Sequence, residues 1–478
     1  MAIRKQTNTK RAGDAGGYYP NQFMIELDRD HALLNRDGTL RAYVAGSANF
    51  VFIHEYVHYL ENISTASGFK SLLIWESVLA IFSHTLDAEA GESGGSARLD
   101  PADQDRLRQL VTYSDLCNGD DVPADLRAVP DDAFDDLEVL GVDAETLSVS
   151  LPNGTGEVTG VNLRCNVTFK DRPATEVEFI LGATAIEEGL AYEIDRMVEG
   201  VEDPAVPFPY RVLREYAAKA GPNGLPRIVL AACAALALQT VDPPRAIINM
   251  FDHLSDLVER SDRAVAAGGV AIPWAAIVDE LVEATRSQRE QLPPVVLQDL
   301  RRLIEMHAGR GAAERAMRGL AELFSRLLDR RVRDPLFELR PFQTNRVERT
   351  ALARVLGNVL PCDVLQENAP VQEGGDEEFE RDWLLRWGEA GENDAALDGV
   401  RLLQCQLDFV IAHVSNASTL TPTHAIRGHA CPFHTCCPLA LRREHTSTCG
   451  ERPWEITRFG MNDRCWYGMA VLAINHRE

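Results

Sequence analysis

One turn of the chain constrains everything that packs around it: His54-Glu55-Tyr56-Val57-His58. Phe50, Val51, Phe52 and Ile53 precede it, and Tyr59 and Leu60 follow. On an α-helix, residues four apart lie on one face, one turn from each other. A helix that is apolar nearly all round is a buried helix. Two imidazoles and a carboxylate are costly to bury without partners, so the fold must bring partners to His54, Glu55 and His58. One Zn²⁺ ion satisfies both imidazoles, at about 2.0–2.1 Å from each ring nitrogen. Glu55 then stands beside the ion, where it can take a proton from zinc-held water and hand it to a leaving amine. Tyr56 and Val57 are uncharged, so nothing between the histidines competes. Ser47 is the expected N-cap of this helix, with Asn49 as the alternative.

A hydrolytic zinc site needs three protein ligands and one open position. Glu61 and Ser64 stand three and six residues after the motif, where a metzincin has Gly and His, so that class is excluded. The run Ala185-Ile186-Glu187-Glu188-Gly189-Leu190-Ala191-Tyr192-Glu193-Ile194-Asp195 offers a glutamate on a second helix. Together the two segments resemble the gluzincin class of zinc metallopeptidases. In the aminopeptidase branch of that class the ligand Glu is followed by Gly, with a further acidic residue two turns on. The resemblance makes Glu188 the third ligand and Asp195 the residue that orients a ligand from behind. Glu187 is the fallback, and His84 and Asp87 are further candidates. It also implies a Tyr or His downstream to donate to the transition state. Tyr210 and His253 are the foremost candidates, beside Arg211 and Tyr216. The likeness is confined to these two segments. Some 130 residues separate His58 from Glu188, so a large insertion is expected between them. The amine-binding motif of those aminopeptidases is absent upstream, where Gly46-Ser47-Ala48-Asn49 stands instead. The resemblance therefore implies the metal chemistry and not the exopeptidase specificity.

The rest of the chain narrows the setting. With 478 residues, a net charge of −24 and a pI of about 5, the protein is unsuited to binding nucleic acid through bulk electrostatics. Residues 1–20 are polar and basic, with no apolar segment of the kind a secretory signal carries, and read as a disordered tail. The apolar run Ile228–Leu238 is too short to span a bilayer and reads as a buried helix. These features point to a cytoplasmic protein with no membrane contact. Its 10 cysteines are expected to be free thiols or metal ligands.

Half of those cysteines fall in the C-terminal tail. Cys431 and Cys436, with His445 and Cys449, have the composition of a structural Cys₃His zinc site, and Cys437 can replace Cys436. A second, structural zinc is one expectation for this segment; buried incidental thiols are the other.

The expected fold class is mainly α with a small β-sheet: an α+β zincin-like core, a large helical region and a Cys/His-rich C-terminal segment. The core should span 21–205, with an acidic and β-rich insertion at 88–181. Within it, Gln22–Leu27 and Leu40–Val44 are strand candidates around a turn at Asn35–Gly38. A helix over about 48–63 should break at Gly68 before a second over 70–87. Strands are expected at Leu147–Leu151, Val158–Thr168 and Thr175–Leu181. Residues 206–360 read as helices broken at Gly221-Pro222, Pro243-Pro244, Gly268-Gly269 and Pro293-Pro294. Residues 361–395 read as an acidic linker containing one short helix near 379–388, and 396–478 as the Cys/His-rich domain.

The leading functional expectation is a zinc endopeptidase acting on one or a few protein or peptide substrates, with a regulatory partner engaged through the helical or C-terminal region. The alternative is a non-proteolytic helical scaffold with structural zinc. A carboxylate at position 55 favours the first, because a purely structural site has no need of it.

Overall fold

The computed structural model describes residues 16–19, 23–27, 46–87, 91–130, 133–151, 154–199, 207–222, 224–309, 311–343, 364–367, 383–387, 394–415, 417–434, 445–459 and 465–474. It is mainly helical with small antiparallel sheets. The expected strand Leu40–Val44 and turn Asn35–Gly38 lie outside the described residues, as do the side chains of Ser47 and Asn49.

Strands β1 (Gly16–Tyr19) and β2 (Met24–Leu27) form a hairpin, so part of the expected N-terminal tail is sheet. Helix α1 (Gly46–Ser64) carries the motif, and α2 (Ala66–Ser83) turns straight back from it. The break falls at Thr65, whose hydroxyl accepts from the Gly68 N–H at 3.2 Å, and not at Gly68. A Cβ on Gly68 would stand 1.9 Å from the Asn62 carbonyl oxygen, so glycine is there for close approach rather than to end a helix. Helix α2 is long and apolar enough to cross a membrane, yet it sits in the core. Its one acid, Glu76, is fully buried and bonded to His307 at 2.8 Å.

After the two-residue strands β3 (Leu86–Asp87) and β4 (Glu92–Ser93) comes α3 (Pro101–Asn118). Asp100 caps α3 by accepting from the Asp103 N–H at 2.8 Å. Strands β5 (Phe134–Leu151), β6 (Gly154–Phe169) and β7 (Thr175–Leu181) then make an antiparallel meander in that order. Along β6, Val161, Leu163, Cys165 and Val167 are buried, the period of two that makes a strand legible. The part of β5 before Leu147 was not expected; register shifts between Phe134 and Asp136 and between Val139 and Gly141 break the alternation at its start.

Helix α4 (Ala183–Glu199) follows directly, then α5 (Val212–Ala220), α6 (Arg227–Leu238), α7 (Pro243–Ala266), α8 (Trp274–Ala284), α9 (Arg286–Met306) and α10 (Ala312–Arg333). Helix α6 is buried from Val229 to Leu238, as expected. Pro243-Pro244 form the first turn of α7, capped by Asp242. Pro293-Pro294 do not break the chain; they lie inside α9. Val296, Leu300 and Leu303 beyond them are buried, and that packing outweighs the local cost of the prolines.

The segment read as an acidic linker contributes β8 (Val364–Glu367) and β9 (Trp383–Trp387), the latter where a short helix was expected. They complete a four-stranded sheet in the order β1-β2-β9-β8, with Ile25 opposite Leu385. Helices α11 (Asp394–His413), α12 (Thr446–Glu451) and α13 (Trp466–Ala473) end the described chain. One large hydrophobic cluster runs from Tyr19 through Leu238 and Leu403 to Ile474, and a small second one gathers Cys117, Val149 and Val158 between α3 and the far end of the meander. Phe409 of α11 packs edge-on against Phe82 of α2, with ring centroids 5.4 Å apart. Apolar side chains of the C-terminal segment thus belong to the same cluster as those of α1 and α2.

Candidate metal centre

Helices α1 and α4 pack against each other, and this contact assembles the site. His54 and His58 project from one face of α1, and Glu188 projects from α4 between them. His54 Nε2, His58 Nε2 and Glu188 Oε2 each lie 3.2 Å from the other two. Among the described residues this is the one group of three or more His, Cys, Asp or Glu donors gathered within 4.8 Å. A tetrahedral zinc with bonds of about 2.0–2.1 Å has donor–donor edges of about 3.3–3.4 Å, so the observed triangle matches that size. The side chains of His54, His58 and Glu188 are 14%, 8% and 23% exposed, which leaves one side open to solvent.

Hydrogen bonding behind the triangle fixes its chemistry. His54 Nδ1 lies 2.8 Å from Asp195 Oδ2. A carboxylate there accepts the Nδ1–H and leaves Nε2 as a bare lone pair aimed at the other donors. That lone pair and the Glu188 oxygen are both acceptors. Only positive charge, as protons or as a cation, reconciles them at this separation. Two imidazoles and a carboxylate, with one imidazole backed by a second carboxylate, are a donor set suited to a catalytic zinc.

The electrostatics follow the same logic. Burial pulls the His54 pKa down, but Asp195 and Glu188 outweigh it and raise it well above the ordinary value. Burial also opposes the charge on His58, and Glu188 overcomes it. Glu188, pushed up by burial, is held far below the usual carboxylate range by His58 and His54. Burial raises Glu55, against the pull of His54 and His58. A cation entering here would displace protons from the histidines, the usual competition at such sites.

The Glu-Gly pair has a packing reason. A Cβ on Gly189 would stand 2.7 Å from the Leu213 Cβ, so glycine lets α4 close on α5. On the next turn Glu193, 1% exposed, pairs with Arg214 and with Arg227, the latter at 3.0 Å. These contacts fix the rotation of α4 and hence the aim of Glu188.

Of the remaining expected residues, Tyr210 is brought to the site: its ring is 5.6 Å from that of His54, edge to face. His253 lies on α7, outside the cluster. Arg211 pairs with Asp136 at 2.7 Å and Glu215 at 2.9 Å. Tyr216 is buried against Phe251, with centroids 5.3 Å apart. Glu187 sits beside the triangle but outside it, with burial raising its carboxyl to about 7. His84 is engaged by Asp103 at 2.7 Å, and Asp87 ends on the short strand β3.

In the tail, Cys436 and Cys437 lie outside the described residues. The Cys431 N–H donates to the Cys449 carbonyl at 2.8 Å, and the Cys449 N–H to that of His445 at 2.9 Å. This brings the segment ends together, but Cys431, His445 and Cys449 do not form a three-donor group. Cys405, not anticipated, is buried beside Cys431.

Sequence reasoning also missed Tyr18 and Asn62. Tyr18 of β1 stacks on His58 at 6.3 Å and 6°, and the Asn62 side-chain amide donates to its hydroxyl at 2.8 Å. Nothing in the polar N-terminal composition marks Tyr18, because its role depends on β1 being laid over α1.

No protein-family model, curated protein or solved structure matches this chain.

Proposed function

We propose that the protein is a zinc-dependent endopeptidase. The observation that carries this reading is the convergence of His54 Nε2, His58 Nε2 and Glu188 Oε2 at 3.2 Å, from helices far apart in sequence, with Glu55 one residue from the first ligand. His54, His58 and Glu188 would hold the ion, which when bound polarises the scissile carbonyl and acidifies water. Asp195 holds the His54 tautomer. Glu55 is positioned to accept a proton and return it to the leaving nitrogen, and its burial-raised pKa suits both tasks. Tyr210, against His54, is the candidate donor to the developing oxyanion.

Strand β1 lies at the edge of its sheet among the described residues, with Tyr18 over His58. A peptide adding to that edge would run past the site in extended form. Such a mode reads backbone rather than chain ends, which favours internal cleavage.

The test is zinc content with peptide cleavage. One zinc per chain is expected by mass spectrometry in the parent and in Glu55→Gln, and none in His58→Ala. Glu55→Gln should lose cleavage of a casein-derived peptide library by about 10²–10⁴-fold. Zinc retained in His58→Ala, or full activity in Glu55→Gln, overturns the proposal.

A further inference from the structure

A cavity of about 760 Å³ lies apart from the metal centre, bounded by α2, α3, the segment 118–127 and strands β6 and β7. None of His54, Glu55, His58, Glu188 or Asp195 lines it. Its wall has two characters. Ile74, Trp75 and Val78 of α2, Val111 of α3 and Val177 of β7 give an apolar floor. Asp115, Asp121, Asp125, Glu176 and Glu178 give an acidic rim, with Arg127 as its basic member.

The cavity also meets an open strand edge. β7 is an outer strand, paired with β6 on one side. On its other side Ile180 is already engaged: its carbonyl accepts from the Asp120 N–H at 2.7 Å, and its N–H donates to Asp120 Oδ2 at 2.9 Å. In a strand, backbone groups two residues apart point the same way. The N–H and C=O of Glu178 and Glu176 therefore point outward with Ile180, and among the described residues no backbone bond reaches them. Asp120 thus ends the pairing at one point and leaves the rest of the edge available. Side chains on β7 alternate likewise: Val177 and Phe179 are buried, and Glu176 and Glu178 are exposed.

We propose that this edge binds an extended basic peptide segment by strand addition. The added strand pairs with the outward groups of Glu176 and Glu178. Its side chains alternate, apolar ones entering the cavity floor and Lys or Arg ones meeting the acidic rim. Charge complementarity selects a cationic partner, and the period of two selects one with alternating apolar and basic residues. Binding here is independent of the proposed peptidase chemistry, because the two sites share no residue.

The experiment uses the full chain carrying Glu55→Gln, so that no cleavage consumes the probe. A fluorescently labelled peptide of alternating Lys and Val is titrated by anisotropy, beside the matching Glu-Val peptide and a Lys-Val peptide with alternate backbone amides N-methylated. The Lys-Val peptide should bind, more weakly as salt rises. The Glu-Val peptide and the N-methylated peptide should each bind at least about tenfold more weakly, by the loss of charge pairing and of ladder bonds respectively. The double variant Glu176→Lys/Glu178→Lys should weaken Lys-Val binding by a similar factor and improve Glu-Val binding. Both side chains are exposed, and circular dichroism verifies that the variant folds. Adding His58→Ala should leave binding unchanged, which separates this proposal from the zinc chemistry. No binding of the Lys-Val peptide overturns the proposal, as does binding unaffected by N-methylation or by the charge reversal.

Discussion

At the scale of single residues, the centre depends on which nitrogen of His54 carries a proton. Asp195 settles this by taking Nδ1 at 2.8 Å. An Asn in its place keeps the shape but loses the charge, and can present its amide N–H₂ to Nδ1, which favours the opposite tautomer. Asp195→Asn should therefore weaken zinc affinity by about 10–100-fold with little change in the unfolding midpoint of the metal-free protein. Chelator competition measures the first quantity and thermal denaturation the second. The juxtaposition of the two candidate histidine ligands was legible in the sequence: a helical period of four places His54 and His58 together whatever the fold. Glu188 and Asp195 were expected only through the resemblance of residues 185–195 to the gluzincin helix, in which a further acid lies two turns beyond the ligand. Tyr18 and Asn62 were not, since their contact depends on a strand whose own sequence gives no sign of it.

At the scale of elements, α1 is held near its C-terminal end by a buried ion cluster. Three residues beyond His58, Glu61 meets Arg331 of α10, which also pairs with Glu338; all three are at most 3% exposed. Two carboxylates share one guanidinium, so one of them retains its proton at neutral pH. Burial pushes the Glu61 carboxyl up, against the pull of Arg331, to about 8. The folded state thus holds a proton that an unfolded Glu releases near 4.3. This contribution to stability is complete below that value and is lost as pH rises through about 8. Glu61→Gln removes the titration. Its unfolding free energy should fall less than the parent's between pH 5 and 8, as read from urea melts across that range. Removing Arg331 instead strands two buried acids, and should destabilise by about 3–5 kcal/mol.

At the scale of the whole molecule, one core joins the motif helix, the meander, the helical run and the C-terminal helices. Unfolding should therefore be a single transition that the metal shifts as a unit. Zinc at about a thousand times its dissociation constant should add about 4 kcal/mol, raising the melting temperature of the parent and leaving that of His58→Ala unmoved. Two transitions, only one of them responsive to zinc, would show that the core is divided. This unity was the least legible property of the chain. Helices and the regular part of the meander announce themselves by local period. The upstream partner of β9 is β2, more than three hundred residues away, and β8 joins the sheet only through β9; the acidic residues around these strands have the composition of a linker.

The distance along the chain between the parts of the centre has a consequence for timing. During synthesis the two histidines emerge early, Glu188 emerges much later, and the sheet that sets Tyr18 over His58 is complete only after β9 has followed. On the proposed reading, a nascent chain carries a motif it cannot yet use. On that reading the order of residues along the chain delays any activity until Glu188 and β9 have both followed the histidines.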